Sequence, residues 1–381
     1  MIVRRHFMKK KILILGAGEA QIDAIKYCKT KGLEVCGCSY TNHDPGIPML
    51  DYFEQVDIKN IEGVAEMADR LGVDFIYSVG SDLAIPTVMK ASEMLGLPHF
   101  ISSETASVCH AKHLMRSSLG SDFPGNAAFI VCETLEDALT FTDFPGMMKP
   151  VDSQGQRGCF RVDSREDIEA HFAASLDYSI EGKVIIETFI DGPEVSVNAY
   201  FQDGLLRFAL VSDRFVFDQY PGGIIREHRI PSSFADSAAK EEILELVKNS
   251  AAKLGINNGP CYYQIKLNPL NHPVILEIAP RLDGCHMWDL IKHYCGADLL
   301  DACFTQLLEN RPVLTEGLAF PDEEYQLKFI CKETGSLFDR SEYDLKNTEA
   351  VRWFCETGDV VRKMNGYMEK CGYIIRKTCN R

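Results

Sequence analysis

The chain has 381 residues, of which 46% are hydrophobic and 25% charged, and its formal net charge is −15. This composition is that of a globular protein, and the length is enough for roughly two or three domains that each bury a core. Proteins that bind nucleic acids or anionic membranes usually carry an excess of basic residues, so the acidic balance argues against both partners. An acidic protein that handles an anionic substrate needs local cations or metal ions to offset its own field.

The fourteen cysteines are the next feature of the composition. None forms a CxxC pair, and Cys36 and Cys38 lie two apart in a predicted strand, where they share one face. We expect them to be core thiols rather than a metal or redox site. The apolar run ILIL behind the basic start of the chain is too short for a signal peptide or a membrane span, so we expect a reduced, cytoplasmic protein.

In the first 105 residues, predicted strands alternate with predicted helices. The apolar run KILIL (residues 11–15) predicts a buried strand, the helical spacing of Ile22, Ile25 and Cys28 predicts a helix, and LEVCGCSY (residues 33–40) predicts the next strand. A helix, a strand and another helix follow in the same manner. This alternation is typical of a doubly wound α/β domain with a parallel sheet.

The turn GAGEAQ (residues 16–21) after the first strand also suits a dinucleotide-binding domain. It contains GxG, but Gln21 stands where the third glycine of that pattern belongs. Tyr40 and Thr41 follow the second strand, at the position where an acid would bind the ribose. We therefore favour a glycine turn that allows a helix to pack closely on a strand, and a dehydrogenase that binds NAD(P) is the less favoured alternative.

The pattern changes after this domain. Residues 106–190 predict a small α+β unit, with a helix over 104–120 and a glycine-containing loop, DSQGQRG (residues 152–158). Residues 191–312 predict a larger unit of strands with one long helix. Residues 313–381 have weaker patterning, and the predicted strands EYQLKFICKE and CGYIIRK indicate a small terminal subdomain.

Lys149 stands at the end of an apolar strand, six residues before Gly155, in a stretch that also contains Gly158. Glycines expose backbone N–H groups that can wrap phosphate oxygens, and the lysine adds a point charge. The stretch is not a Walker sequence, because no GKS or GKT follows. A phosphate-binding loop and a surface hairpin with a flanking lysine both remain open on these residues alone.

Two acids bracket an apolar hinge in IIETFIDGPEVSV (residues 185–197). Glu187 ends an apolar strand, and Glu194 starts the next strand after a turn. A nucleotide base needs an apolar slot with a few backbone and carboxylate partners, and a ribose needs an acid that accepts from its hydroxyls. The alternative is a hairpin with two exposed acids.

The stretch VILEIAPRLDGCH (residues 274–286) places a carboxylate, Glu277, in the middle of an apolar strand and an arginine, Arg281, behind its end. Gln264 lies in the preceding predicted strand, and a short turn can bring the Gln264 and Glu277 side chains together. Magnesium prefers oxygen ligands and favours carboxylates together with substrate phosphates. The planar fork of Arg281 suits a phosphoryl group or a substrate carboxylate. A strand end with a chance salt bridge is the alternative.

The order and spacing of these stretches resemble the ATP-grasp superfamily, over roughly residues 10–310. The resemblance implies an α/β and α+β architecture with the ATP-grasp fold. It implies a doubly wound pre-ATP-grasp domain in residues 1–105 and a small lid subdomain in residues 106–190. It also implies a large subdomain in residues 191–312, followed by a small C-terminal subdomain in residues 313–381.

The resemblance also implies a role for each matching position. It implies ATP-phosphate binding by Lys112, Lys149, Gly155 and Gly158, adenine binding by Glu187 with the backbone of Phe189 and Ile190, ribose binding by Glu194, ligation of Mg²⁺ (or Mn²⁺) by Gln264 and Glu277, and catalysis by Arg281 with Lys149. One position departs from the pattern, because Ala279 stands where an asparagine usually helps to hold a second magnesium ion. A similar E-I-A-x-R strand occurs in some amino-acid ligases of the superfamily, which favours an active enzyme over one with a weakened or lost second metal site.

The residues that would select the substrates are less clearly marked. The segment 214–231 contains arginines, His228 and a glycine pair, and we expect it to form a loop that covers an anionic acceptor or a carboxylate. A solvated connector is the alternative. His286 and Trp288 follow Arg281 closely and are expected either to line the acceptor pocket or to be a satisfied core pair.

The function that the resemblance implies is ATP-dependent carboxylate–amine ligation. Such an enzyme forms an amide bond on small molecules through an acyl phosphate and releases ADP and phosphate. The alternatives are carboxy-phosphate chemistry like that of carbamoyl-phosphate synthetase, and a nucleotide-binding protein without turnover. The expected partners are ATP, a small-molecule carboxylate and an amine, with no nucleic acid and no membrane, and a homodimer is the default for an enzyme of this size.

Overall fold

The computed structural model describes residues 9–152, 157–217, 219, 224–363 and 368–378. The strands are β1 Lys11–Leu15, β2 Glu34–Cys38, β3 Tyr52–Glu54, β4 Phe75–Tyr77, β5 Phe129–Cys132, β6 Gly146–Pro150, β7 Phe160–Val162, β8 Val184–Thr188, β9 Glu194–Gln202, β10 Leu205–Val216, β11 Ile225–Ile230, β12 Gly259–Leu267, β13 Pro273–Ala279, β14 Glu324–Glu333, β15 Thr348–Trp353 and β16 Met368–Thr378. The helices are α1 Glu19–Thr30, α2 Ile61–Leu71, α3 Ile85–Leu95, α4 Ser103–His110, α5 Lys112–Leu119, α6 Leu135–Ala138, α7 Arg165–Leu176, α8 Ala238–Leu254, α9 Met287–Cys295 and α10 Leu299–Glu309.

The first sheet is parallel and has the order β3-β2-β1-β4, with α1, α2 and α3 between its strands in sequence. This is the doubly wound arrangement that the alternating pattern predicts. Cys36 and Cys38 are fully buried in β2, so the prediction that they are core thiols is confirmed. In the glycine turn, Gly16 has a positive φ, and the Gln21 side chain donates from Nε2 to the Val79 carbonyl at 2.7 Å.

The second sheet is small and antiparallel, with the order β5-β8-β6-β7. Helices α6 and α7 pack on it and close a separate apolar cluster that includes Phe141, Met148 and Phe172. In the pairing of β6 with β8, Lys149 lies opposite Ile185, so Glu187 is its diagonal neighbour on the same face. The register of this sheet therefore places a lysine beside a glutamate that lies 38 residues further along the chain.

The third sheet has eight strands in the order β13-β12-β9-β10-β11-β14-β16-β15. Both strands predicted in the C-terminal tail, β14 and β16, pair with each other, and β14 pairs with β11, so the tail extends this sheet instead of forming a sheet of its own. The expectation of a covering loop over residues 214–231 is wrong for nine of these eighteen residues, which lie in strands. β10 continues to Val216, and β11 occupies Ile225–Ile230, because their backbones satisfy each other in an antiparallel ladder.

The helix predicted over residues 104–120 is two helices. Ala111 has an extended backbone with φ −99° and ψ 113°, which ends α4 and starts α5. The Lys112 N–H donates to the Val151 carbonyl at 3.2 Å instead of continuing the first helix. This tertiary hydrogen bond overrides the local helical pattern and ties Lys112 to the end of β6.

The aromatic side chain of Phe304, on α10, joins the first domain to the rest of the core. It is fully buried, stacks on Tyr27 with ring centroids 4.9 Å apart and contacts Tyr77 at 4.9 Å. One apolar cluster runs from the parallel sheet to the large sheet through this contact. The packing of Phe304 therefore fixes the first domain against the large sheet.

We expect Phe304→Ala to lower the free energy of unfolding by about 3–5 kcal/mol, because it leaves a cavity where three aromatic rings meet. Urea unfolding followed by fluorescence and circular dichroism measures the change. The exposed Phe320 is the matched control, and Phe320→Ala is expected to cost less than about 1 kcal/mol. Equal losses in the two variants would contradict this account of the interface.

Candidate active site

A buried carboxylate, that of Glu187, joins two cations on the wall formed by the small sheet. Lys149 Nζ donates to Glu187 Oε2 at 2.6 Å, and Arg116 Nε donates to Glu187 Oε1 at 3.1 Å. Burial alone would raise the pKa of Glu187, but the charges of Arg116 and Lys149 outweigh that effect and lower the pKa to about 2. The carboxylate is therefore ionised at neutral pH and holds Lys149 in a defined position.

Arg116 is a site residue that the sequence motifs did not reveal. It is fully buried on α5, one helical turn after Lys112, and its Nη1 donates to Asn126 Oδ1 at 3.0 Å. The i, i+4 spacing from Lys112 is the signal that could have found it. Lys112 itself begins α5, and its charge acts on Glu277, so α5 links the two walls of the site.

The hinge between the small and large sheets contains Phe189 and Ile190. The Phe189 ring lies between two cations, with the Arg161 guanidinium 4.5 Å and the Lys266 Nζ 5.3 Å from its centroid. Lys266 Nζ also donates to the Ile190 carbonyl at 3.2 Å, and the Phe189 N–H donates to the Pro145 carbonyl at 2.9 Å. These contacts fix the hinge backbone, with β12 on one side and the start of β6 on the other.

Glu194 begins β9 and is part of a polar group with Gln264 and Arg214. Gln264 Nε2 donates to Glu194 Oε1 at 2.5 Å, and Arg214 Nη1 donates to the same oxygen. Arg214 is largely buried and lies opposite His228 in the pairing of β10 with β11, so the two residues share one face of the large sheet. Arg214 is therefore part of this polar group and not of a covering loop. The structure thus brings together the two predicted residues Glu194 and Gln264, which are 70 positions apart.

Gln264 and Glu277 lie directly opposite each other in the pairing of β12 with β13. The predicted hairpin therefore puts an amide and a carboxylate side by side. Burial, and after it the nearby Asp82 carboxylate, raise the pKa of Glu277, while Arg281 and Lys112 partly offset them. Glu277 still has 38% of its side-chain surface exposed, so it can reach a ligand from the cleft.

This pair fits a magnesium ion. The donors are a carboxylate and an amide oxygen, which are the hard oxygen ligands that Mg²⁺ prefers. A carboxylate whose pKa is raised by burial and by another acid is also stabilised by a cation. Ala279 lies opposite Tyr262 in the same ladder, is buried, and supplies no oxygen. The described side chains therefore offer one protein carboxylate and one amide at this position of the hairpin.

Arg281 makes a two-pronged ion pair with Asp82, a residue of the first domain. Its Nε and Nη2 donate to the two carboxylate oxygens of Asp82, each at 2.5 Å, and its Nη1 donates to the Leu282 carbonyl at 2.9 Å. Its Nη2 lies 3.9 Å from Glu277 Oε1. The guanidinium is thereby oriented at the boundary between the first domain and the β12–β13 hairpin.

Asp82 was not singled out from the sequence, although its position carried a signal. It follows the end of β4, and ligands of doubly wound sheets bind outside the carboxyl ends of the strands. The close approach of two glycines makes the contact possible. A Cβ built on Gly80 would lie 2.7 Å from the Gly284 Cα, and Gly80 has a positive φ of 61°. A side chain at Gly80 would therefore push the Asp82 loop away from the Arg281 loop.

His286 and Trp288 form part of the interface with the first domain. Both are buried, their rings are 4.9 Å apart, and Trp288 Nε1 donates to Asp23 Oδ2 at 3.1 Å. Arg352, from the tail, is paired with the same Asp23 carboxylate. Burial, and then the charge of Lys370, lower the pKa of His286 to about 4. Both residues lie in the core, but only Trp288 fits the expectation of a satisfied core pair, because the buried His286 Nδ1 has no hydrogen-bond partner.

The predicted phosphate loop lies only partly within the described structure. Gly155 is outside the described residues, as is the glycine pair at positions 222 and 223. Gly158 has a positive φ of 69°, and a Cβ there would lie 2.9 Å from atoms of Pro150 and Tyr178. The role of the loop in phosphate binding stays a prediction.

Comparison with known proteins identifies the fold and a domain match within the chain. The model of the ATP-grasp domain matches residues 142–289, which contain the small-sheet lysine, the hinge and the hairpin. The L-amino acid ligase from Bacillus licheniformis has a similar structure, with a TM-score of 0.80, 19% identity, and coverage of 97% of this chain and 93% of that one. The phosphoribosylglycinamide synthetase from Anaerococcus prevotii has a TM-score of 0.78, 19% identity, and coverage of 97% and 94%. The chain therefore has the ATP-grasp fold, and residues 142–289 match the ATP-grasp domain.

Two curated relatives match a longer part of this chain than the ATP-grasp domain does. The alanine–anticapsin ligase of Bacillus subtilis (strain 168) is 26% identical over 292 residues, which are 70% of this chain and 60% of that protein. Carnosine synthase 1 of Mus musculus is 24% identical over 333 residues, which are 78% of this chain and 39% of that protein. This chain thus spans about 60% of the length of the alanine–anticapsin ligases that it matches. Among the described residues, there is also no helix that is long and apolar enough to cross a membrane.

The Glu187 charge cluster makes stability depend on pH. The folded-state pKa of about 2 is below the ordinary value of 4.5, so the ionised carboxylate stabilises the fold above about pH 4.5. This stabilisation, on the order of 3 kcal/mol, is lost as the pH falls from 4.5 towards 2. Glu187→Gln is expected to lower the free energy of unfolding at pH 7 and to make its dependence on pH less steep over that range.

Urea unfolding at a series of pH values tests this prediction. Glu133→Gln is the matched control, because Glu133 forms an exposed ion pair with Lys183. We expect the control to follow the parent protein at every pH. If Glu187→Gln had the same pH dependence as the parent, Glu187 would not be the carboxylate responsible.

Proposed function

We propose that this protein is an ATP-dependent carboxylate–amine ligase that forms an amide bond between small molecules and releases ADP and phosphate. The observation that carries the proposal is the Gln264–Glu277 pair, which lies in register at the edge of the large sheet beside the oriented guanidinium of Arg281. Lys149 and Lys112 add cations on the facing elements. This is an arrangement for neutralising and aligning a triphosphate next to a carboxylate.

The chemical problem is the poor reactivity of a carboxylate, whose charge repels nucleophiles and whose oxygen is a poor leaving group. In the proposed first step, a carboxylate oxygen attacks the γ-phosphorus of ATP, the bond to the ADP oxygen breaks, and an acyl phosphate forms. The amine nitrogen then attacks the acyl carbon. The carbon–oxygen bond to phosphate breaks, phosphate leaves, and an amine proton passes to solvent.

The protein side chains align these groups and offset their charge. Gln264 and Glu277 would hold Mg²⁺ (or Mn²⁺), which supplies positive charge at the phosphates. Lys149, held by Glu187, and Lys112 would bind the phosphates, and Arg281 would stabilise the charge that develops at the acyl phosphate. Asp82 would keep the guanidinium of Arg281 in place during the reaction, so that no reorientation is needed.

The nucleotide base and the ribose would occupy the hinge. The backbone N–H of Ile190 and the backbone carbonyl of Phe189 would form hydrogen bonds with the edge of a purine, so the hinge needs no side chain for this contact. The Glu187 carboxylate is already bonded to Lys149 and Arg116, which supports an indirect role in which it positions Lys149. Glu194 would accept from the ribose hydroxyls while it keeps Gln264 and Arg214 in place.

The relatives support amino acids as the substrate class. One is named for joining alanine to anticapsin, one is a carnosine synthase, and one solved structure is an L-amino acid ligase. We therefore propose an amino acid as the carboxylate that is phosphorylated and an amino acid or another amine as the acceptor. A second candidate, a nucleotide-binding protein without turnover, is favoured only by Ala279, which supplies no ligand for a second ion.

The decisive assay follows ADP and phosphate release with ATP and Mg²⁺ across a matrix of amino acids and amines, with the products weighed by mass spectrometry. We expect release that requires one carboxylate and one amine, with a product lighter than their sum by one water. Release with bicarbonate alone would instead indicate carboxy-phosphate chemistry. Stabilisation by ATP and Mg²⁺ without release under any condition would favour the binding protein, and Ala279→Asn would then test whether a second ligand restores turnover.

Removal of the Glu277 carboxylate is expected to abolish turnover. Glu277→Ala should reduce ADP release at least about 100-fold, because the strongest predicted metal ligand is lost. Glu242→Ala is the control, since Glu242 is an exposed glutamate paired with His272 on the outside of the same subdomain. The control is expected to retain its activity within about twofold. Full activity in a folded Glu277→Ala protein would reject the assignment of Glu277 as a metal ligand.

A further inference from the structure

Three side chains that the proposed reaction does not use lie together beyond Arg281. His228 is on β11, and Asp283 and Cys285 are in the loop that follows Arg281. An imidazole nitrogen, a carboxylate oxygen and the thiol sulfur all lie within 4.8 Å of one another. In the described part of the chain, this is the one group of three or more histidine, cysteine, aspartate or glutamate side chains whose ligand atoms meet in this way.

The polar atoms of this group are buried and largely unsatisfied. His228 has no exposed surface, and neither of its ring nitrogens has a hydrogen-bond partner. Asp283 is 3% exposed; its Oδ1 accepts from the Cys285 N–H at 2.9 Å, but its Oδ2 has no hydrogen-bond partner. A buried polar group that is left unpaired destabilises the fold. Buried polar groups of this kind therefore indicate a bound partner that is the size of an ion or a water molecule.

We propose that His228, Asp283 and Cys285 bind a transition-metal ion of the zinc type, at a site separate from the Gln264–Glu277 pair. The donor set decides the kind of ion. Mg²⁺ takes oxygen ligands and is not suited to a thiolate, whereas Zn²⁺ accepts imidazole nitrogen, carboxylate oxygen and thiolate sulfur together.

The geometry requires only a small adjustment. Ligand atoms about 2.0–2.3 Å from a tetrahedral zinc ion lie roughly 3.3–3.8 Å from one another. Since the three atoms already lie within 4.8 Å of one another, a closure of about 1 Å completes the site. With three protein ligands, a water molecule would take the fourth position.

The surrounding charges set the expected strength of the site. Lys370 Nζ lies 3.7 Å from Cys285 Sγ, and Arg214 and Arg281 also act on Asp283. These cations favour the ionised carboxylate and thiolate, but burial outweighs them and raises the pKa of both Asp283 and Cys285. The cations also repel a metal ion. When the thiol gives its proton to solvent, the thiolate and the Asp283 carboxylate together offset the two charges of Zn²⁺. The bound group is then neutral, which makes binding possible in spite of the nearby cations.

The proposed ion would have a structural consequence for the active site. Asp283 and Cys285 follow Arg281 by two and four residues, and His228 belongs to a central strand of the large sheet. The ion would therefore attach the Arg281 loop, which also contacts the first domain at Gly80, to the large sheet. The inference does not depend on the ligase reaction, because metal binding can be measured without nucleotide or substrate.

The test uses the full-length protein after treatment with a chelator, with Co²⁺ and Zn²⁺ as the probes and no nucleotide. We expect one equivalent of Co²⁺ to bind with a thiolate-to-metal charge-transfer absorption, and Zn²⁺ to remove that absorption. Cys285→Ser should lose it, whereas Cys295→Ser, a change at another buried cysteine, should keep it. Glu277→Ala should also keep it. His228→Ala and Asp283→Asn should each weaken Co²⁺ binding by at least about tenfold.

Two outcomes would overturn the proposal. One is a thiolate absorption that persists in Cys285→Ser, and the other is its absence from the parent protein, which would leave a buried water as the partner of these groups. The melting temperatures of the chelated proteins separate loss of a ligand from loss of the fold. If Cys285→Ser does not fold, X-ray absorption of the Zn²⁺-loaded parent protein decides the matter, because a zinc shell without sulfur would also reject the site.

Discussion

The ion pair between Arg281 and Asp82 is the contact on which the arrangement of the site depends. It joins a loop of the first domain to a loop of the large sheet, 199 positions apart in sequence. The Nε and Nη2 atoms of Arg281 each lie 2.5 Å from a carboxylate oxygen of Asp82. A charge pair of this kind is stabilising only when both partners are held and their other hydrogen-bonding groups are satisfied. The Leu282 carbonyl and the glycine contact between residues 80 and 284 provide that support. The first domain therefore determines where the arginine behind the β12–β13 hairpin points.

Ion pairs with carboxylates also position other cations of the candidate site. The chain has a net charge of −15, and these cations are each held by a carboxylate. Glu187 holds Lys149 and Arg116, and the largely buried Glu194 holds Arg214. Because the carboxylate partners are buried, water competes only weakly with these ion pairs, and the cations keep their orientation. The cost is that removal of one partner leaves another charge unpaired inside the protein.

Local patterns were sufficient wherever the chain needs only its neighbours in sequence. The hairpin of β12 and β13 has a short turn and an alternating pattern, and its register places Gln264 opposite Glu277, as expected. The parallel sheet followed from alternating apolar runs and helical spacing. Where a distant partner intervened, the local pattern was misleading. The Val151 carbonyl breaks the helix predicted over residues 104–120, and the pairing of β10 with β11 replaces both ends of the loop predicted over residues 214–231.

The sequence by itself determined the class of fold, the order of its elements and a set of polar residues in matching order along the chain. It did so because strand alternation, helical spacing and glycine turns are short-range properties. Only the tertiary structure decided which charges meet. Arg116, Asp82 and Arg214 find their carboxylate or guanidinium partners 71, 199 and 20 positions away, and nothing in their immediate neighbours specifies those contacts. Electrostatic partnership depends on distance in space and on burial, and both are fixed only when the three sheets pack together.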